Sequence, residues 1–473
     1  MTASDDVALV WFRRDLRLDD NPAWAGATSG HAFVAALYVL DPRLLRSAGP
    51  YRRRQLIAHL QALDYDLFER TEGRLIVRTG DPRAIVPDTQ QRLGCGSVHW
   101  NADVTPFATR RDAAVRDALD VPVHERWGSL VLPPGSVLTK KGSLSKVFSA
   151  FHRTWAATTW DPWPTPGDAV VYPDPAEVLP RLDSPAPLPE GEQEARVRLE
   201  SFLERVDDYD DERDLPGPDR TSHLSADLHF GTLSPRTVVE AVGDATPGRA
   251  AFVRQLAWRD WYAHLLAATP ELPRLEVDPR TRDIAWRNEP SAISAWKGGF
   301  TGIPIVDAGM RQLRETGWMH NRVRMITASF LVKDLLVDWR IGEAHFRHLL
   351  VDGDVAQNVG NWQWVAGTGL DAAPYHRVFN PTTQAKRFDP SGAYVRRWVP
   401  ELAGLPDEAV HEPWAAADLE LAAAGVVLGQ DYPRPIVDHA EARDRYLEEV
   451  AAAKERSEAG DGSDDDDGSD DDD

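Results

Sequence analysis

The chain has 473 residues, 42% of them hydrophobic, and a formal net charge of −22. That length exceeds one ordinary core and predicts two domains, while no apolar run is long enough to span a bilayer. A single cysteine, Cys95, excludes a disulfide framework, a four-cysteine zinc site and a cysteine-held iron–sulfur cluster. The N-terminus, MTASDDVALVWF, has neither the basic flank nor the cleavage site of a signal peptide, so a cytoplasmic protein is expected.

In chain order, the apolar runs Val7–Phe12, Phe33–Leu40, Leu75–Arg78, Ser97–Trp100 and Val121–His124 read as buried strands. Helical stretches such as Arg52–Glu69 and Thr109–Leu119 lie between them, and Asn21-Pro22 and Asp81-Pro82 have the order that opens a helix. Strand, helix and strand at this spacing predict a doubly wound, Rossmann-like parallel sheet in an α/β domain over residues 1–128. The first strand is followed by FRRDLRLDDNP and not by GxGxxG, so a standard dinucleotide site at the first turn is not expected. Residues 129–195, with LPPGS, WDPWPTPGD and DSPAPLPEGE, predict a long inter-domain connection. Residues 196–456 read as an all-α domain, within which Val323–Trp339 is apolar nearly all round and predicts one buried helix.

Ser457–Asp473 holds ten acids and no base, which predicts a disordered acidic tail; without it the net charge is −12. Only 7 of the 53 basic residues are lysine. An Asp-rich, Lys-poor surface suits solubility in high salt, and a GC-rich genome would favour arginine equally. Any nucleic-acid binding must therefore come from a local arginine patch.

Three stretches carry chemistry. In TSHLSADLHFGTLSPR (221–236), the hydroxyls of Thr221, Ser222 and Ser225 precede an apolar segment, and Ser234-Pro235 opens the next helix. Such a helix start seats an anion or simply caps itself. In FVRQLAWRDWYAH (252–264), Gln255, Trp258, Arg259 and Tyr262 fall on one helix face, joining groups that stack bases to groups that grip phosphates. GWMHNRVRM (317–325) and DGDVAQNVGNWQW (352–364) place Asp352 and Asp354 where either could pair with Arg324, and set Trp362 and Trp364 two positions apart.

Together with WFRRDLRLDDNP, WRDWY, TGIPIVDAGMRQLRETGWMHNRVRMITASFLVKDLLVDWR and FNPTTQAKRFDP, these motifs resemble the photolyase/cryptochrome family in order and spacing over residues 7–450. Among its members the chain is similar to the class I enzymes that repair cyclobutane pyrimidine dimers. The resemblance implies a bent FAD in the helical domain, active when reduced, with Tyr209 and Thr221, Ser222, His223, Leu224 and Ser225 on its phosphates and ribitol. Arg324, Asp352, Gly353 and Asp354 would surround the ring system, with Asn358 facing its N5. Trp362, Trp339 and Trp286 would form an electron path to the surface.

Gln255, Trp258, Arg259, Asn321, Arg322, Met325, Trp364 and Arg377 would meet a flipped-out dimer or flanking phosphates in UV-damaged DNA, with the Lys386-Arg387 pair extending the basic strip. Gln255 stands where many dimer-repair members have Glu, and Gln there also occurs among (6-4) photolyases. Those enzymes carry a histidine pair where this chain has Asn321 and Met325. A cryptochrome-like blue-light receptor is the reading from a different class. WNADVTPFATRRD (100–112) resembles members that bind an 8-HDF-type deazaflavin antenna more than those that bind methenyltetrahydrofolate. No metal, no membrane and a monomer are expected.

Overall fold

Among the described residues, six strands form one parallel sheet: β1 (Ser4–Phe12), β2 (Phe33–Leu40), β3 (Ile76–Thr79), β4 (Cys95–Asn101), β5 (Val123–Arg126) and the short β6 (Val170–Val171). The computed structural model describes residues 4–171, 179–371 and 377–461. The sheet order is β3-β2-β1-β4-β5, with β6 on β2. Leu9 of β1 lies beside Ala35 of β2 and Val98 of β4, so β1 has a neighbour on each side and the strand order reverses there.

The strands are hydrophobic without alternation because both faces are covered, as parallel crossovers require. Ala8, Val10 and Phe12 face a core with Leu60, Leu63 and Leu67 of the helix Pro50–Thr71, while Leu9 and Trp11 face Val86, Val98 and Trp100. Asn21 and Asp81 cap their helices as expected, Asn21 accepting from the N–H groups of Ala23 and Trp24 and Asp81 from that of Arg83.

Two compact units divide the chain. One holds Met1–Glu212, Thr221–Pro270 and Arg347–Gln357; the other holds Arg213–Arg220, Glu271–Phe346 and Asn358–Asp473 and is helical throughout its regular elements. The stretch 129–171 is more ordered than its proline content predicts. It forms the helix Phe148–Ala157 and buries Leu130, Val131, Leu132, Phe151 and Trp155. The reason is Asp260, which is fully buried and accepts from the N–H groups of Val131 and Leu132 and the indole of Trp155.

The single helix expected over Val323–Trp339 is broken. Asn321–Ser329 is α-helical, Phe330–Asp334 widens into a π-helical turn, Leu336 adopts a left-handed φ of 52°, and a new helix Trp339–Leu349 begins. The wide turn brings two consecutive charges inside, and each finds a partner: Lys333 donates to the carbonyl of Arg377 at 2.9 Å, and Asp334 bonds His439. The acidic tail also starts later than expected. Residues 457–461 complete the helix His439–Asp461, where Arg456 is held by the carbonyl of Asp283 and by Glu449, and the remainder of the tail lies outside the described residues. Among the described residues no helix is long and apolar enough to cross a membrane.

Three buried histidines make the fold acid-sensitive. Burial holds the imidazoles of His59 and His99 down to about 3 and that of His320 to about 4; Arg198 adds to this at His59, and His124, Arg126 and His31 at His99. An unfolded histidine takes up its proton near 6.5, so the stability that these neutral groups contribute is complete above that value and is lost as the pH falls toward 4 and then 3. Each should cost roughly 1.4 kcal/mol per pH unit in that window. Urea midpoints should therefore drop steeply between pH 7 and pH 5, and a flat profile would show that these imidazoles charge freely in the native state.

Candidate active site

The helix Val355–Ala366 organises the site. Its sequence places Asn358, Trp362 and Trp364 within two turns, and at about 100° per residue two tryptophans two apart point roughly 200° from one another. The two indoles accordingly differ in burial. Trp362 is 2% exposed and packs edge-on against Phe346 (5.0 Å) and Trp296 (6.2 Å), whereas Trp364 is half-buried. Gln363 between them is fully buried and pins the helix by donating to the carbonyls of Leu272 and Leu275.

Asn358 is buried, and its Nδ2 donates to both the carbonyl and the Oε1 of Glu343 at 2.9 Å. Those two acceptors fix the orientation of the amide and leave Oδ1 as an acceptor for a ligand N–H. Glu343 escaped the sequence reading because it lies on the preceding helix, fifteen residues away.

Trp362 rests on Gly342, one turn along the helix from Trp339. A Cβ at position 342 would lie 2.1 Å from the indole Cη2 of Trp362, so only glycine permits this approach. Gly342→Ala should cost about 1–3 kcal/mol through overpacking, read as a lowered thermal or urea midpoint; an unchanged midpoint would mean that the indole moves freely. Trp339 is fully buried, and Trp286 is half-buried on a segment whose Arg287 N–H donates to the carbonyl of Leu336. Burial thus decreases from Trp362 and Trp339 to Trp286.

In the other unit, the turn Asp352-Gly353-Asp354 is held by two arginines. Arg52 Nη1 donates to the carbonyls of Arg347 (2.6 Å) and Gly353 (3.3 Å), capping the helix end, and a Cβ at Gly353 would stand 2.2 Å from that nitrogen. Asp354 accepts from the Gln357 N–H and pairs with Arg14 at the end of β1. Burial pushes the Asp354 carboxyl up, but Arg14, His229 and Arg259 outweigh it and hold the group well below the usual carboxylate range. This corrects the expected pairing of Asp354 with Arg324: Asp354 spends its oxygens on a helix start and on Arg14, and Arg324 Nε donates to the carbonyl of Met319.

Tyr209 is half-buried and edge-on to Phe202 and Phe252. In the run Thr221–Ser225, Arg205 donates to the Thr221 carbonyl, His223 takes a left-handed φ of 55°, and the Ser222 hydroxyl accepts from the Leu224 N–H before a short helix starts at Ser225.

Asn321 and Met325 stand one turn apart, the Asn321 amide 3.7 Å from the Met325 sulfur. Trp258 is half-buried and stacks on Phe148, centroids 3.6 Å apart, and Gln255 donates to the carbonyl of Ala251. The basic strip is less open than expected. Arg377 is exposed, but Arg322 pairs with Asp214 at 2.6 Å and Lys386 pairs with Glu412. Arg259 is corrected outright: its guanidinium donates to the carbonyls of Ser129 and Leu228, so it braces the interior instead of offering itself to phosphate.

Arg259 instead lines a cleft with Arg14, Asp103, Thr105, Asp354 and Gln357. The cleft lies beyond the carboxyl ends of β1 and β4, at the reversal in strand order where open α/β sheets bind ligands. Asp103 is 3.5 Å from Arg14. The FRRD that replaces a glycine fingerprint was the available signal for this cleft.

A parallel α/β sheet with a switch-point cleft, and a helical unit with an oriented amide acceptor and buried tryptophans, are the parts that a flavin-binding protein requires. In the helical unit the residues suit a flavin ring, since Asn358 Nδ2 is held by Glu343 and Oδ1 can accept from a ring N–H; in the other unit the hydroxyls of 221–225 suit a phosphate. Two family models match the chain: DNA photolyase over residues 8–167 and the FAD binding domain of DNA photolyase over residues 252–452. The deoxyribodipyrimidine photo-lyase of Streptomyces griseus is 43% identical over 93% of this chain and 98% of its own. That of Escherichia coli K12 is 40% identical over 94% of this chain and 98% of its own. The crystal structure of a class III photolyase from Agrobacterium tumefaciens superimposes with a TM-score of 0.88 at 37% identity, covering 96% of this chain and 98% of that one. The chain belongs to the DNA photolyase family.

Proposed function

We propose that this protein repairs cyclobutane pyrimidine dimers in DNA by light-driven electron transfer. The observation that carries the reading is the helix Val355–Ala366, which presents an amide acceptor, a buried indole and a half-buried indole in directions that serve one cofactor and one lesion. Bound FAD in its reduced form supplies the light-excited electron that opens the cyclobutane ring and is then returned.

The chain's own residues do the rest. Asn358 Oδ1, oriented by Glu343, would accept from a flavin N5–H and so favour the electron-rich cofactor. Arg324, Asp352 and Gly353 would bracket the ring system, with Asp354 held on Arg14, and Tyr209 and Thr221–Ser225 would take the phosphates and ribitol. Trp364 and Trp258 wall the cavity for the flipped-out dimer, replacing lost base stacking. Asn321, Met325 and Gln255 touch the lesion. Arg377, and Arg322 once drawn from Asp214, meet flanking phosphates. Trp362, Trp339 and Trp286 pass electrons inward when the oxidised cofactor must be reduced. The α/β unit would take the antenna, with Asp103 and its neighbours past the end of β4 beside it. The 8-HDF type is favoured over a folate on the resemblance of Trp100–Asp112, the segment that holds Asp103. The protein acts as a cytoplasmic monomer.

Gln255 favours one competing reading, repair of (6-4) photoproducts. Illumination of the reduced protein with two oligonucleotides, each carrying one defined lesion, separates them. The dimer should revert and the (6-4) product should persist; the opposite pattern reassigns the lesion, and reversion of neither in light points to a receptor.

A further inference from the structure

Within the proposed electron path, Trp339 differs from its two companions. Its indole Nε1 donates to Glu276 Oε1 at 3.2 Å, and Glu276 is 3% exposed. The other carboxylate oxygen accepts from Arg340 Nη2 at 2.7 Å, and the same guanidinium lies 4.7 Å from the centre of the Trp339 ring. Arg340 is fixed independently by Asp338 and by the carbonyl of Arg274. Among the described residues, no carboxylate bonds the indole of Trp362 or Trp286. Nothing in the sequence marks Glu276, which sits in PRLEVDP, 63 positions before its partner.

An indole that has lost an electron becomes a strong N–H acid, and a buried carboxylate already bonded to that hydrogen is its natural acceptor. The guanidinium over the ring opposes a full positive charge on Trp339, which makes release of the proton the easier response. The geometry points to Glu276 as the proton acceptor of the oxidised middle tryptophan, a positioning role that sets how long the hole survives on Trp339. This rests on the electron-path reading above.

The step balances. Trp339 gives one electron toward Trp362 and its Nε1 proton to Glu276, leaving a neutral tryptophan radical beside a carboxylic acid. When Trp286 then gives an electron to Trp339, the proton returns from Glu276 to Nε1, and the hole stands on Trp286. No proton crosses the interior, and the total charge around Arg340 is the same while the hole rests on Trp339 as when it arrived.

The test uses flash spectroscopy of the flavin-loaded protein in a Trp286→Phe background, where the hole must stop at Trp339. The deprotonated tryptophan radical, whose absorption lies to the blue of the cation's, should dominate, and its decay should slow in D2O. Adding Glu276→Gln should give the cation instead, with recombination faster by about tenfold, the scale of one charged hydrogen bond. Repair by chemically reduced Glu276→Gln should match wild type. Cation spectra with equal lifetimes in both backgrounds would overturn the assignment. If Glu276→Gln fails to hold flavin, the radical spectrum and isotope effect in Trp286→Phe alone decide. Trp339→Phe tests the path itself: photoreduction as fast as in wild type would sink the electron-path reading, independently of Glu276.

Discussion

Trp362→Phe should slow photoreduction of the oxidised, flavin-loaded protein by at least about tenfold, and leave the affinity for a dimer-containing oligonucleotide nearly intact. Phenylalanine is much harder to oxidise than indole, so the first hop would lose its donor, and each ~1.4 kcal/mol added to the barrier costs a factor of ten. Packing does not confound this result. Trp362 sits among Phe346, Trp296 and Gly342, where a smaller ring relaxes a contact already at its limit. Blue-light bleaching of the flavin band with an external reductant is the measurement. Bleaching at the wild-type rate would show that electrons enter elsewhere.

Trp364→Ala should do the reverse. Loss of one base-stacking wall weakens dimer binding by about 1–3 kcal/mol, roughly five- to 150-fold in Kd, while photoreduction proceeds normally. The half-buried state of Trp364 means that the fold depends on it less than on Trp362, so the loss should appear in binding before it appears in stability. Fluorescence titration with a dimer-containing oligonucleotide reads it directly. Equal effects of the two substitutions on both assays would break the division of labour between the faces of this helix.

The sequence made this division visible because a helix fixes the angle between neighbours without reference to the rest of the chain. The sheet was equally legible: unbroken runs such as VALVWF announce strands covered on both faces, and β1 to β5 begin and end within three residues of where those runs placed them. What stayed hidden depends on partners far along the chain. Glu343 behind Asn358, Glu276 behind Trp339, Arg52 on Gly353 and Arg14 on Asp354 are separated from those residues by 15 to 340 positions, and no local pattern encodes them. The same limit explains Arg259. A face of Gln, Trp and Arg resembles a nucleic-acid surface until the carbonyls of Ser129 and Leu228 are seen to claim the guanidinium. It also explains the broken helix at Phe330–Asp334, where apolar periodicity suits an α-helix, and only the partners of Lys333 and Asp334 show why the turn widens.

With FAD bound and reduced, repair would lend one electron to the dimer and recover it, so that nothing is consumed but light. The most direct measurement counts thymine dimers reverted per flavin under steady illumination, after a single chemical reduction and with no further reductant, in parallel with a dark control. Many reversions per flavin are expected in light and none in darkness. Reversion that halts near one dimer per flavin, or that proceeds equally in the dark, would contradict it.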